Sequence, residues 1–199
     1  MAMRLTLRTR LLALSLIGLF FVVGVGATGY MATTRLASTA DHIVEIGSAL
    51  KDQLQADQAH DALRADVLAA LLAKGTHDAA EESTVRGDLE EHRKLFRDSI
   101  AMLESRDLDA SARAALAQVK PALDAYLQSA AAIVDLAFRN PTAAATQFPA
   151  FMEAFKHLEK EMATLSDLIE KSARQTETAG QSSARSAKAI MVATFLACA

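Results

Sequence analysis

Asp57, His60, Asp61 and Arg64 stand in one short stretch, DQAHDALRADVL at 57–68, at separations of three and four residues. On a helix that spacing gathers them on one side. A guanidinium grips a carboxylate through two parallel hydrogen bonds, so Arg64 is the candidate for fixing a small anionic solute. Asp57, His60 and Asp61 are its neighbours and form a close histidine–carboxylate group. A metal could use such a trio, but a solvated helix face is the plainer reading, and neither metal nor cofactor is expected. A second patch lies in FRNPTAAATQFPAF, 138–151, where a helix N-terminus would favour an anion, with Arg139, Asn140 and Thr142 supplying charge, cap and hydroxyl. Tyr126 places a hydroxyl in an apolar stretch; it reads as a core tyrosine with one hydrogen bond or as a ligand contact.

Reaction chemistry is not expected. The chain has no Gly-rich phosphate loop, no nucleophile elbow and no HExxH. Glu81–Glu82 and Glu90–Glu91 read as solvated charge. The single cysteine, Cys198, excludes an internal disulfide and a cysteine-cluster metal site. A net charge of −3 leaves no nucleic-acid footprint.

Long helices must position these groups. Hydrophobic residues make up 51% but aromatics only 5%, with 8 Gly and 3 Pro in 199 residues. Much Ala and Leu with few breakers favours helix over sheet. Three interruptions stand out. AKGTHD (73–78) offers Gly75 as a C-terminal stop and Thr76 or Asp78 as a cap. ESRDLDAS (104–111) offers Asp109, and FRNPT offers Asn140 as cap with Pro141 in the first turn. Helices are therefore expected at about 32–74, 79–105, 110–138 and 141–188. Pro121 and Pro149 are expected to disturb the third and fourth locally.

Heptad steps give the seams. Leu50, Leu54, Asp57, Asp61, Arg64, Leu68 and Leu71 form the expected seam of the first helix. Val85, Leu89, His92, Phe96, Ile100 and Leu103 form that of the second, and Leu116, Val119, Leu123, Tyr126, Ala130 and Ile133 that of the third. Phe148, Phe151, Phe155, Leu158, Met162, Leu165 and Ile169 form the fourth. Sustained heptads with short connections predict an all-α, up-down-up-down antiparallel four-helix bundle. Three charges on a buried seam would be costly. Asp61 and Arg64 must pair, or the face turns to water, or it lines a pocket between helices or subunits that receives an anion.

The ends imply a membrane. Residues 11–31 carry no charge, Arg4, Arg8 and Arg10 precede them, and no acid occurs before Asp41. The run is long enough to span about 30 Å of hydrocarbon, with its N-terminal flank in the cytoplasm. A cleaved signal peptide is the alternative, although the run exceeds the usual apolar core of about 7–15 residues. AIMVATFLACA (189–199) reads as the start of a second membrane helix that the sequence cuts off, or else as a short apolar tail. The expected organisation is a tail at 1–10, a membrane helix at 11–31, an extracytoplasmic bundle at 32–188 and the start of a second membrane helix at 189–199. The outer helices, at about 65–72 Å, outrun the middle pair at about 40–44 Å, as a bundle continuous with membrane helices at both ends requires.

In this layout the chain resembles the periplasmic sensor of bacterial methyl-accepting chemotaxis receptors of the aspartate/serine type. HDALRADVLAALL (60–72) is similar to the distal first-helix segment that carries that family's ligand-binding arginines. FRNPT, followed by MEAF at 152–155, is similar to the start of its fourth helix, where a Pro-Thr pair supplies a ligand-contacting threonine. The resemblance implies Arg64 and Thr142 as ligand contacts, with Asn140 adjacent. It also implies a homodimer in the bacterial inner membrane, among lipids, with residues 32–188 in the periplasm. The expected role is sensory: binding an amino acid or organic acid and passing the signal through the fourth helix. A histidine kinase or cyclase sensor, or a tethered structural bundle that binds a protein, are the alternatives.

Overall fold

The computed structural model describes residues 6–73 and 79–198, with side chains through 193. Four helices account for nearly all of them: α1 (Leu7–Leu72), α2 (Ala79–Ser105), α3 (Ala110–Arg139) and α4 (Pro141–Cys198). The expected stops hold where they are described. Asp109 caps α3 by accepting a hydrogen bond from the Ala112 N–H at 2.8 Å. Asn140 closes α3 and accepts from the Ala143 N–H at 3.2 Å, with Pro141 beginning α4. Pro121 and Pro149 both lie inside their helices. The interruption assigned to Gly75, Thr76 and Asp78 falls on 74–78, outside the described residues.

The chain divides into two compact units, Val44–Ala173 and Met1–Ile43 with Arg174–Ala199. In the second, most apolar side chains between Leu11 and Met31 are exposed, and by length and composition α1 can cross a membrane. There α1 and α4 approach closely: a Cβ placed on Gly180 would meet Thr39 Cγ2 at 2.9 Å.

Val44–Ala173 is the antiparallel four-helix bundle. Partners across each pair of helices run in opposite order. Asp52 meets Arg106 while Asp66 meets His92, and Glu104 meets Lys120 while Arg86 meets Asp135. Gln53 meets Met162 while His60 meets Phe155. The expected seams of α3 and α4 are buried throughout, apart from the partly buried Phe148. That of α2 is buried except for the half-buried His92, and it also includes Ser99.

The seam of α1 lies one residue away from the expected one. Ala49, Gln53, Ala56, His60, Leu63, Val67 and Ala70 are buried, again in strict heptad steps. The stripe drawn through the leucines lies at the edge of the bundle: Leu54 is 63% exposed and Leu68 39%, while Leu50 and Leu71 are partly buried against the core. Volume explains the choice. Phe96, Tyr126, Phe151 and Phe155 fill the core from the other three helices. Small alanines on α1 accommodate those rings at native density, where leucines would overpack. Asp57, Asp61 and Arg64 consequently lie off the buried seam.

Candidate functional site

His60 is the polar residue that the one-residue shift carries inward. It is 2% exposed and touches all three other helices. Its ring stacks on Phe155 of α4, with centroids 4.1 Å apart and planes 8° apart. It tilts against Tyr126 of α3 at 5.1 Å and meets Phe96 of α2 edge-on at 6.2 Å. Nε2 lies 3.3 Å from the Phe155 carbonyl oxygen, the bond expected of the tautomer that carries its proton there. The Tyr126 hydroxyl donates to the His60 carbonyl at 2.9 Å, and the Tyr126 ring stacks on Phe151 with centroids 5.3 Å apart. Burial holds the His60 pKa below the ordinary histidine value, opposed by the Phe155 carbonyl and by Asp61, Asp57 and Glu159. Burial also raises the Tyr126 hydroxyl, which stays protonated and available to donate. Tyr126 is thus a core tyrosine with one hydrogen bond, and His60 belongs to the aromatic core instead of a solvated face.

One turn further along α1, Arg64 reaches the same ring. Its Cζ sits 4.5 Å from the Phe155 centroid, a cation–π contact, and its Nη2 lies 3.4 Å from Asp61 Oδ1. The side chains of Arg64 and Asp61 are 40% and 62% exposed. The guanidinium is therefore placed by an aromatic surface and paired with one solvated carboxylate. Asp57, also exposed, lies one turn before Asp61. Among the described residues no group of three His, Cys, Asp or Glu side chains could hold a metal ion.

The second patch is separate. Thr142 precedes Phe155 by 13 positions, which is about 20 Å along a helix. Thr142 is exposed, and its carbonyl accepts from the Thr146 hydroxyl. Arg139 pairs with Asp135 at 3.2 Å, and Asp135 is also held by Arg86, whose guanidinium lies over Phe138. Asn140 is occupied in capping. The structure therefore brings Arg64, Asp61, His60 and Tyr126 together around Phe155. It leaves Arg139, Asn140 and Thr142 at the α3–α4 junction.

Several interhelical groups were not singled out by sequence reasoning. Arg106, in the α2–α3 connection, binds Asp52 at 2.8 Å and reaches Glu45 at 3.9 Å, tying that connection to α1. His92 meets the buried Asp66 at 2.7 Å. Burial raises the Asp66 pKa, and the His92 hydrogen bond opposes that rise. Phe155 itself was legible as a seam residue, but nothing in its own neighbourhood marks it as the surface on which Arg64 rests. A shallow groove between α3 and α4, lined by Pro121, Ala122, Ala125, Ala154, His157 and Glu161, shares no residue with either patch.

A partly solvated guanidinium thus stands beside the core of the bundle. Residues 4–184 match the family model of a four-helix-bundle sensory module for signal transduction, of the methyl-accepting chemotaxis (MCP) type. No curated protein and no solved structure matches the chain. With nearly its whole length covered, the chain belongs to the family of four-helix-bundle sensory modules for signal transduction.

Proposed function

We propose that the chain is the sensory part of a transmembrane chemotaxis receptor and binds a small anionic solute, an amino acid or organic acid, at the face of α1 that carries Arg64. The observation that carries this reading is the guanidinium itself. It is held over Phe155 at 4.5 Å yet remains 40% exposed, with Asp61 as a solvated and displaceable partner. A carboxylate arriving from water can replace Asp61 on the guanidinium while Phe155 keeps the group in place. Binding and not catalysis is the proposed role.

The receptor setting draws on the apolar run 11–31 as a membrane anchor among lipids, with the bundle in the periplasm of a bacterial cell. The exposed leucines of this stripe on α1, Leu54 and Leu68, support a homodimer contact. In that arrangement Arg64 would lie beside the seam between two copies. A ligand that prefers one packing of the dimer shifts the balance between packings by its differential affinity, and α4 carries the shift toward the membrane.

The test is a thermal-shift screen of the full chain in detergent micelles against amino acids and organic acids, repeated with Arg64→Ala. A ligand present at 100 times its dissociation constant should add about 2.7 kcal/mol of stability. That gain should vanish in the variant. A shift of equal size in Arg64→Ala, or no shift with any acid, would refute the anion reading.

A further inference from the structure

The core at His60 has a property that anion binding at Arg64 does not use. A titratable ring stands where the core touches all four helices, within an otherwise aromatic cluster. We propose that His60 is a proton-binding site, and that acidification outside the membrane is a second stimulus of this module, read through the contact of His60 with Phe155 on α4.

The geometry sets what a proton would do. A neutral imidazole suits this position: it stacks flat on Phe155 and makes one hydrogen bond to the Phe155 carbonyl. An imidazolium there would be a nearly fully buried charge. The groups facing it from each element decide whether that charge is relieved. On α1, Asp57 and Asp61 act to stabilise it but are themselves exposed and solvated. Arg64, on the same ring, adds a second cation less than about 9 Å away, since both groups meet one centroid. From α4, Glu159 is favourable but exposed. From α3 comes the Tyr126 hydroxyl, already committed to the His60 carbonyl. From α2 comes the Phe96 ring. Desolvation is the largest influence on the ring, and it opposes the charge.

The sign follows. His60 binds a proton less readily buried than free, so stability is fully present above the free value of 6.5. It is lost as pH falls from there toward the buried midpoint. A packing that moves His60 toward water, or toward Asp57, Asp61 or Glu159, takes the proton more readily, and acid favours that packing. Each pH unit by which the two packings differ in His60 midpoint gives a tenfold shift in their ratio. Moving His60 disturbs its stack on Phe155 and its bond to that residue's carbonyl, so α4 registers the change.

The experiment is a pH titration by NMR of the full chain in micelles, with labelled histidine and no organic anion present. His60 is assigned through its contacts with the Phe155 and Tyr126 rings. The expected result is a His60 midpoint below 6.5, with the Phe155, Glu159 and Met162 backbone amides moving at the same midpoint. His60→Gln should abolish that movement. A midpoint at or above 6.5 would overturn the proposal, as would α4 amides that stay fixed or that still titrate in His60→Gln. Should His60→Gln fail to fold, the wild-type titration alone decides. Because no anion is used, failure here and failure of the ligand screen are separate results.

Discussion

Removing Arg64 distinguishes a solvated partner from a buried one. The Arg64–Asp61 pair is 3.4 Å apart, with 40% and 62% of the two side chains exposed. Exposed pairs at this helical spacing contribute about 0.2–0.5 kcal/mol. The contact of the guanidinium with Phe155 at 4.5 Å adds about 0.5–1 kcal/mol at a partly solvated site. Arg64→Ala should therefore cost about 1 kcal/mol, a fall in Tm of about 2–4 °C for a chain of this size. Asp61→Ala should cost less than about 0.5 kcal/mol, and the double variant should show a coupling of about 0.2–0.5 kcal/mol. Thermal melts of the four proteins in micelles form the cycle. A buried pair behaves otherwise: breaking it costs about 3–5 kcal/mol, and removing both partners recovers most of the loss. A loss of that size with recovery in the double variant would refute the solvated reading. If an anion displaces Asp61, Asp61→Ala should bind it about 1.4–2.3-fold more tightly, the same coupling expressed as affinity. Weaker binding would exclude that competition.

Two further outcomes follow from burial and exposure. Tyr126→Phe removes the hydroxyl from the His60 carbonyl, which retains its own helical partner, so stability should fall by about 0.5–1.5 kcal/mol; because Tyr126 is fully buried, affinity for any anion found in the screen should hold, and a tenfold loss would place Tyr126 at the ligand. Leu54→Glu alters a side chain that is 63% exposed, so helicity by circular dichroism should persist while, if the proposed homodimer forms through this stripe, sedimentation moves toward monomer; unchanged sedimentation would refute a dimer through Leu54.

The helix ends and two of the seams were legible because their signals are local. Asp109, Asn140 and Pro141 act on backbone groups within one turn of themselves, and α3 and α4 end or begin where those residues stand. Tyr126, Phe151 and Phe155 lie on seams whose large apolar residues leave no competing face. The first helix was misread by one position because two heptad stripes lie side by side on it. One carries leucines interrupted by charges; the other carries alanines, Gln53, His60, Leu63 and Val67. Hydrophobicity alone favours the leucines. The packing is decided by the rings opposite, and these come from residues 96, 126, 151 and 155, where α1's own sequence gives no hint of them. The same shift moves His60 into the core and Arg64 to its edge: that these residues gather on one side of α1 is legible in the sequence, and how deep each lies is not. The α3–α4 junction is a separate patch: the 13 positions between Thr142 and Phe155 set it about 20 Å from the Arg64 face along α4.

The buried seam of α1 also explains why polar residues belong on it. Gln53 donates from Nε2 to the Met162 carbonyl at 3.3 Å, and His60 faces the Phe155 carbonyl at the same distance. On both helices these anchors are one heptad apart, in antiparallel order. An alanine seam is smooth, and apolar contact is non-directional, so neither fixes how far α4 has slid along α1. Hydrogen bonds do fix it, because they weaken steeply once distance or angle departs from the optimum. Each contributes only about 0.5–1.5 kcal/mol, which orders the register without locking it. The Oε1 of Gln53 is buried without a hydrogen-bond partner from the protein. A slide by a full turn, 5.4 Å, would break both anchors and carry Phe155 away from His60 and Arg64 together. Smaller displacements strain all of these contacts at once. The register of α4 in the bundle and the state of the Arg64 face are therefore one variable, which is the property a sensory module needs if an event beside α1 is to be felt along α4.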